Sequence, residues 1–403
     1  MKKQLLIIRA CAVGVAAAVY SCGGHGDTDE GVYADNRIEA TMRQEGIINE
    51  PATQPVAQRI YIDNSVSMRP YFMGDSCAII NTITELRNLE NSGTQIFLNG
   101  DKKPLTGFFA PAIKKNIGKI SSGNSDFPTF FRAAADSIDN NSGELIYLVT
   151  DGILSIGPGN MDQVLREMRG RITGSLKGHP GLAAAIFRYL GDYKGYYYNR
   201  LNKSTKRPLD QQRPYYVIAL GNADNIRWLA SKSDDKLNNP DDKLFFGIHD
   251  LKGHATTRIA DPGDGAYLQY PDSAARLEIL LPECLKNLSK SDILENLEIE
   301  TCGEDYDGNE LYERRVITSQ YPEKLILLID NSHYNYSADE DITVKLENFL
   351  PDAWETTYNA ADDLGDTVST TTTYGLGTLV KGIYEAFETD DDDLIKLTFK
   401  YKY

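Results

Sequence analysis

Hydrophobic and polar residues follow two kinds of pattern between residues 58 and 233. Short apolar runs end in polar residues: Arg59–Ile62 is followed directly by Asp63, and Leu145–Val149 precedes Asp151 by one residue. Between such runs, apolar residues recur every three or four positions, which is the spacing of helices. Strands that alternate with helices need crossover connections. We therefore predict an α/β domain over residues 58–233, with a mostly parallel sheet flanked by helices.

The pattern changes from about residue 234 onwards. Short runs of strand composition follow one another, separated by polar turns. They are Leu244–Ile248, Leu277–Leu281, Leu297–Thr301, Arg314–Thr318, Leu325–Ile329, Ile342–Leu346 and Leu394–Tyr401. We predict a β-rich, sandwich-like C-terminal domain over residues 234–403, against which an amphipathic helix from Leu376 to Phe387 packs. The alternative is that some of these strands extend the sheet of the first domain.

The first residues have the features of a secretory signal. Two lysines precede an apolar stretch, Leu5–Val19, that is too short to span a membrane comfortably. The stretch ends in "VYSC" and two glycines, which resembles the lipobox of bacterial lipoproteins. This resemblance implies a signal peptide over residues 1–21 and lipidation of Cys22. An ordinary cleaved signal peptide with an incidental cysteine is the alternative.

The lipobox resemblance implies that the protein is exported and anchored in the bacterial cell envelope, and we predict the outer membrane. Either the cell surface or the periplasmic face is compatible with the sequence. Residues 22–57 are polar, carry two prolines and lack a sustained apolar period. We predict that they form a flexible tether between the lipid anchor and the folded part.

Composition limits the classes of partner and the number of domains. The chain of 403 residues carries 58 acidic and 42 basic residues, a formal net charge of −16. Such a surface repels nucleic acid, and we identify no basic cluster that offsets it, so we predict no nucleic-acid partner. The length exceeds what one core usually serves, which favours two domains. We predict that Cys77 is a buried thiol, and that Cys284 and Cys302 either pair or remain free.

Polar side chains gather where two predicted strands end. Asp63, Ser65 and Ser67 follow the first strand in "YIDNSVSM", and Asp151 follows a later one. Thr129, in "SDFPTFF", directly precedes a predicted helix. Ligands bind at the carboxyl ends of the strands in sheets of this kind. We therefore expect the two aspartates at one edge of the sheet, with Thr129 approaching from a neighbouring loop.

This arrangement resembles the metal-ion-dependent adhesion site of von Willebrand factor A (vWA) domains, over residues 58–233. That site uses an Asp-x-Ser-x-Ser motif, a distant threonine and a later aspartate that often precedes glycine. The resemblance implies a vWA-like, Rossmann-like fold. It also implies that Ser65, Ser67 and Thr129 bind Mg²⁺, or alternatively Mn²⁺ or Ca²⁺, directly, while Asp63 and Asp151 hold the ion largely through water.

A cation held in this way has a position open for an acidic side chain of another protein. The function implied is metal-dependent protein–protein interaction or adhesion. The sequence departs from the family pattern in two respects. No glycine pair precedes Thr129, and about sixty residues separate Asp151 from the last strand of the domain. That interval contains the tyrosine-rich segment "YLGDYKGYYYN", which suggests an inserted hairpin.

Two alternatives to this function remain open, a metal-free structural subunit and a magnesium-dependent phosphohydrolase. Asp63 and the serines are also residues that bond to the backbone of their own loop, which would make the protein a metal-free structural subunit of an envelope assembly. A magnesium-dependent phosphohydrolase of the haloacid dehalogenase type needs a second aspartate where Ser65 stands. A serine hydrolase needs a Gly-x-Ser-x-Gly motif, and the chain contains none. We therefore predict that the protein is not an enzyme.

Overall fold

The structure is a computed structural model in which residues 54–401 are described with interruptions. The interruptions are residues 75–76, 90–92, 107–108, 119–125, 142, 156–158, 238–239, 249–256, 261–273, 281–284, 286–287, 302–311, 318–323, 331–339, 365–367 and 389–392. The predictions for the signal peptide, for Cys22, for the tether up to residue 53, and for Cys284 and Cys302 lie outside the described residues. Residues 54–57 of the predicted tether are described, and Ala57 belongs to the first strand. Within the described part, no helix has the length and apolar character needed to cross a membrane.

A six-stranded sheet forms the centre of the first domain. Its strands are β1 (Ala57–Ile62), β2 (Gln95–Leu98), β3 (Glu144–Thr150), β4 (Leu182–Gly195), β5 (Leu209–Asn222) and β6 (Asp242–Phe246). They lie in the order β2-β1-β3-β5-β4-β6. Every residue of β3 is buried, as expected for a central strand that is covered on both faces.

The sheet is mixed in direction, so the predicted mostly parallel sheet needs a correction. β1 pairs in parallel with β2 and β3, whereas β5 is antiparallel to both β3 and β4, and β6 is antiparallel to β4. The physical reason is the connection, because β4 and β5 form a hairpin and a hairpin joins antiparallel neighbours. The α/β fold class and the inserted hairpin are confirmed, with parallel pairing confined to β2-β1-β3.

Helices cover both faces of this sheet. They are a 3₁₀ helix (Val66–Phe72), α1 (Ala78–Asn88), α2 (Phe109–Asn116), α3 (Phe127–Asn140), α4 (Met161–Leu176) and α5 (Ala223–Lys236). The 3₁₀ helix, α1, α2 and α5 contribute to the core on one face, while α3 and α4 contribute to the core on the other. Asp126, Asn160 and Asn222 cap the starts of α3, α4 and α5 by accepting backbone N–H groups.

The later residues form further sheets. β7 (Thr257–Ala260), β8 (Ala274–Leu280), β10 (Tyr312–Ile317) and β11 (Lys324–Asp330) make a four-stranded antiparallel sheet. A short helix, α6 (Lys290–Glu295), precedes β9 (Leu297–Thr301), which joins β12 (Glu340–Glu347) and β15 (Asp393–Tyr401) in a second antiparallel sheet. β13 (Asn359–Ala360) and β14 (Thr373–Tyr374) form a small parallel pair. A sandwich arrangement of these sheets stays a prediction.

Two elements beyond residue 233 belong to the layers of the first sheet. β6 pairs with β4 at the edge of the six-stranded sheet. The alternative prediction, that some of the late strands extend the sheet of the first domain, is therefore confirmed for β6. Helix α7 (Leu376–Phe387) packs on α4, and the prediction that it packs against the C-terminal strands is wrong. The contact is close: Thr173 Oγ donates to the carbonyl of Gly382 at 3.0 Å, and a Cβ at Gly382 would lie 3.0 Å from Ile172 Cβ. The apolar stripe of α7 is buried there together with the core side chains of α3 and α4.

Cys77 lies at the start of α1. Its side chain is partly buried rather than fully buried as predicted, and its sulfur donates to the carbonyl of Tyr71 at 3.3 Å. The thiol is free. Burial raises the pKa of this thiol, so a smaller fraction of it is present as the reactive thiolate at neutral pH.

Candidate metal centre

Asp63 and Asp151 lie side by side at the carboxyl ends of β1 and β3. The two strands are parallel neighbours with Ile62 opposite Val149, and the N–H of Asp63 donates to the Val149 carbonyl at 2.8 Å. Both aspartates are almost fully buried, with 3% and 2% of their surface exposed. The structure therefore brings the two aspartates to one edge of the sheet, as the strand pattern predicts.

Hydrogen bonds hold the Asp63 carboxylate in place. Its Oδ1 accepts the N–H of Ser65 at 2.9 Å, and its Oδ2 accepts the hydroxyl of Thr150 at 2.7 Å. The hydroxyl oxygens of Ser65 and Ser67 lie 2.9 Å apart, and both serines are buried. Ser65, Ser67 and Asp63 thus form one cluster of oxygen atoms. The bond from Ser65 N–H is also what a simple turn around Asp63 would contain.

Asp151 has a buried oxygen without a hydrogen-bond partner. Its Oδ1 accepts the N–H of Ile153 at 3.2 Å, whereas its Oδ2 accepts no hydrogen bond from the residues that the structure describes. A buried polar atom left in this state costs free energy. A ligand that interacts with Oδ2 would remove that cost.

The electrostatics of the cluster follow from two carboxylates in a buried place. Burial raises the pKa of Asp151 to about 7, and the negative charge of Asp63 acts in the same direction. The Ser67 hydroxyl, the Ile153 N–H and the Arg213 guanidinium lower this pKa, but by less. The cluster is therefore short of positive charge, which is the condition that favours a bound cation.

Thr129 is placed differently from the other four predicted ligands. It is exposed at the start of α3, where its hydroxyl donates to Asp126 Oδ2 at 2.7 Å and its N–H to Asp126 Oδ1 at 3.3 Å. It lines a surface cavity of about 420 Å³ together with Asn99 and Phe130. The structure gives Thr129 no hydrogen bond to the other four residues, because the helix cap takes its hydroxyl.

Arg213 is the residue of this site that the sequence analysis did not identify. β4 and β5 extend beyond the end of β3, whose last residue pairs with Tyr216, so Arg213 stands above the edge that carries Asp151. Its guanidinium is buried against aromatic rings, with the central carbon 4.5 Å from the centre of the Tyr197 ring and 5.8 Å from that of Tyr193. The tyrosine-rich sequence was the available signal, since buried tyrosine rings favour a cation between them.

A segment from the C-terminal part of the chain closes over the hairpin. We call residues 368–374 the strap. Arg213 donates to the carbonyls of Ser369 and Thr372, and the Tyr216 hydroxyl donates to Thr373 Oγ at 3.0 Å. Arg188, also on the hairpin, donates to the Thr371 carbonyl at 2.8 Å. The strap therefore fixes the hairpin, and with it Arg213, beside the candidate site.

The chain matches no known family model, no curated protein and no solved structure. Within the part of the chain that the structure describes, no three His, Cys, Asp or Glu side chains are grouped as metal ligands. The candidate site offers two carboxylates, and hydroxyl groups are its other oxygen donors.

Gly152 follows Asp151, and its backbone explains why glycine stands there. Its φ is +70°, and a Cβ would lie 2.8 Å from the Tyr216 ring. We expect Gly152→Ala to lower the free energy of unfolding by about 2 kcal/mol or more, because strain in the left-handed region and a clash add. Chemical denaturation would measure this change.

Gly178 supplies the control for this substitution. It also has a positive φ, of +92°, but no atom of the described residues lies within 4 Å of its ideal Cβ. Gly178→Ala should therefore introduce backbone strain without a clash, and it should lower the free energy of unfolding by about 1 kcal/mol. Equal losses for the two variants would contradict the close contact between Gly152 and Tyr216.

Proposed function

We propose that this protein binds a divalent cation between the β1 and β3 loops and uses it to bind an acidic side chain of a partner protein. Mg²⁺ is the first candidate, with Mn²⁺ or Ca²⁺ as alternatives. The observation that supports this most strongly is the buried Oδ2 of Asp151, which has no hydrogen-bond partner among the described residues. It lies in one cluster with Asp63 and the hydroxyls of Ser65 and Ser67. Hard divalent cations prefer oxygen ligands of these types.

Each residue of the cluster has a distinct part in this proposal. Ser65 and Ser67 would supply neutral oxygen ligands, while Asp63 and Asp151 would supply negative charge largely through water. Asp63 is held by Thr150 and by the Ser65 N–H, so its orientation is set before a cation arrives. A cation with few charged ligands keeps its attraction for one more carboxylate, and that carboxylate would come from the partner. Thr129 would join only by giving up its bond to Asp126.

The proposal includes a location. Lipidation at Cys22 would anchor the protein in the bacterial envelope, with the outer membrane as the predicted membrane, and residues 22–57 would separate the folded part from the lipid surface. The partner would then be another envelope or surface protein. No catalytic step is part of this proposal.

A metal-free structural subunit is the second candidate, and one observation favours it. The site residues are nearly inaccessible, since Asp63, Ser65, Ser67 and Asp151 each expose 8% of their surface or less. Both oxygens of Asp63 already accept hydrogen bonds within the protein. In that case the loop would serve the fold, and contacts with other proteins would lie elsewhere.

Calorimetric titration of Mg²⁺, and then Mn²⁺, into chelator-treated protein separates the two candidates. We expect one cation to bind per chain, and the double substitution Ser65→Ala, Ser67→Ala to weaken binding by at least about 100-fold, because it removes two oxygen ligands. A second serine pair provides a matched control. Ser289 and Ser291 also have hydroxyls 3.0 Å apart, but they are exposed at the start of α6.

The double substitution Ser289→Ala, Ser291→Ala should leave the affinity unchanged. Loss of binding in both double variants would mean that the effect does not come from the site. If none of the three proteins releases or absorbs heat on addition of the cation, the metal-free structural subunit is favoured. Thermal unfolding of all three proteins would show that the variants fold.

A further inference from the structure

The loop between β4 and β5 carries a concentration of positive charge in an acidic chain. Between Asp192 and Asp210 there is no acidic residue, whereas five basic residues are present in a chain of net charge −16. The five are Lys194, Arg200, Lys203, Lys206 and Arg207. The prediction that the chain contains no basic cluster is therefore wrong for this loop. We call residues 194–207 the basic loop.

Three cations of the basic loop have no ion-pair partner among the described residues. Lys203, Lys206 and Arg207 are exposed and form no salt bridge there. The other two are engaged: Arg200 pairs with Asp362 at 2.8 Å, and Lys194 lies 3.8 Å from Asp210. The free positive charge is therefore concentrated at the end of the hairpin, which extends beyond the edge of the sheet that carries the candidate metal site.

The basic loop is held in one conformation by its own hydrogen bonds. The side chain of Asn199 accepts the N–H groups of Leu201 and Lys203 at 3.1 and 3.0 Å, and the N–H of Thr205 donates to the Tyr197 carbonyl at 2.8 Å. Tyr197 in turn donates its hydroxyl to Asp363 at 3.0 Å. A surface that is already ordered loses little conformational entropy when a partner binds.

Exposed apolar side chains accompany these charges. Met73, Tyr196 and Leu364 are 54%, 46% and 43% exposed. Tyr196 belongs to the basic loop, and Met73 ends the 3₁₀ helix whose Pro70 lies against Gly195. Leu364 directly follows Asp363, the partner of Tyr197. Tyrosine and methionine are enriched at protein interfaces relative to the rest of the surface.

We propose that the basic loop is a docking surface for an acidic segment of the partner protein, outside the metal site. The class of partner rests on the proposed function, whereas the surface itself needs no cation. Asp210 and Asp362 flank the loop with side chains that are 81% and 62% exposed. Together with the net charge, they disfavour a long polyanion such as nucleic acid or an anionic bilayer, and they favour a short acidic segment.

Fluorescence anisotropy with a labelled decapeptide of glutamate tests this surface on the full-length chain. The titration is made with and without chelator at low salt, and a decaglutamine peptide of equal length is the uncharged control probe. We expect Lys203→Gln, Lys206→Gln, Arg207→Gln to weaken decaglutamate binding by about tenfold, since three exposed charge contacts are lost. The matched variant Lys102→Gln, Lys103→Gln, Lys177→Gln removes three exposed cations elsewhere and should bind within about twofold of the unchanged protein.

Several outcomes would overturn the proposal. These are equal weakening in the two triple variants, no binding of decaglutamate beyond that of decaglutamine, and tighter binding of a ten-nucleotide thymidylate strand or of phosphatidylglycerol vesicles than of decaglutamate. Chelator should leave decaglutamate binding intact. If the protein binds decaglutamate but no Mg²⁺, the docking surface is supported and the proposed metal site is refuted.

Discussion

Asparagine at position 151 is expected to remove a pH-dependent loss of stability from the metal-free protein. Burial and the charge of Asp63 raise the pKa of Asp151 from an ordinary 3.8 to about 7 in the folded state. The folded protein therefore holds this proton more tightly than the unfolded chain does. The stabilising contribution is complete below pH 4 and is lost as the pH rises through about 7.

The size of this effect follows from the shift in pKa. A difference of about three pKa units corresponds to roughly 4 kcal/mol in the free energy of unfolding. Relative to the unchanged protein, Asp151→Asn should therefore become more stable by about this amount between pH 4 and pH 8. Asparagine has the shape of aspartate without its charge, so the cost of burying a carboxylate is absent in the variant.

Urea denaturation of chelator-treated protein across this pH range would measure the difference. Asp210→Asn is the matched control, since the side chain of Asp210 is 81% exposed and its loss should leave the pH dependence unchanged. A constant difference between Asp151→Asn and the unchanged protein at all pH values would refute the interpretation. On the proposed function, saturating Mg²⁺ would stabilise the unchanged protein and not the variant.

Methionine in place of Arg213 is expected to destabilise the fold by about 3 kcal/mol or more. The substitution removes the buried guanidinium that donates to the carbonyls of Ser369 and Thr372. It also removes the cation that lies between the rings of Tyr193 and Tyr197. Methionine keeps much of the apolar volume of the arginine stem. The decrease in the free energy of unfolding should therefore come mainly from the lost guanidinium and its contacts with the strap.

Denaturant unfolding at neutral pH would measure this loss, and limited proteolysis would show whether residues 368–374 become accessible. Arg207→Met is the control on the same hairpin. Arg207 is exposed and has no salt bridge among the described residues, so its substitution should change stability by no more than about 0.5 kcal/mol. Similar losses for the two variants would mean that the strap is not held by Arg213.

The alternating pattern of the first domain was sufficient to predict its main strands and the helices α1, α3, α4 and α5. It did not predict the 3₁₀ helix or α2. A strand that is buried on both faces, such as β3, requires a continuous apolar run. A helix with one buried face requires apolar residues every three or four positions. Both patterns can be recognised within a short stretch of sequence. The placement of Asp63 and Asp151 was predictable for a similar reason. Parallel strands bring their carboxyl ends to one edge, and the residue after each strand is then fixed in space.

Features that depend on distant residues were not predictable in this way. The packing of α7 on α4 joins residues more than two hundred positions apart, and its apolar stripe is equally suited to either surface. Thr129 gives its hydroxyl to Asp126, although the motif places it near the aspartates. Arg213 becomes part of the site only because the hairpin extends past the end of β3 and the strap holds it there.

By itself the sequence determined the α/β character of residues 58–233, the β-rich character of the later strands and the two aspartates at one edge of the sheet. Only the tertiary structure decided the direction of β5, the position of α7, the burial of the site and the contact between the hairpin and the strap. The physical reason is the range of the interactions. Apolar periodicity and strand ends are local properties of the chain, whereas direction, packing partner and burial depend on which distant surfaces meet.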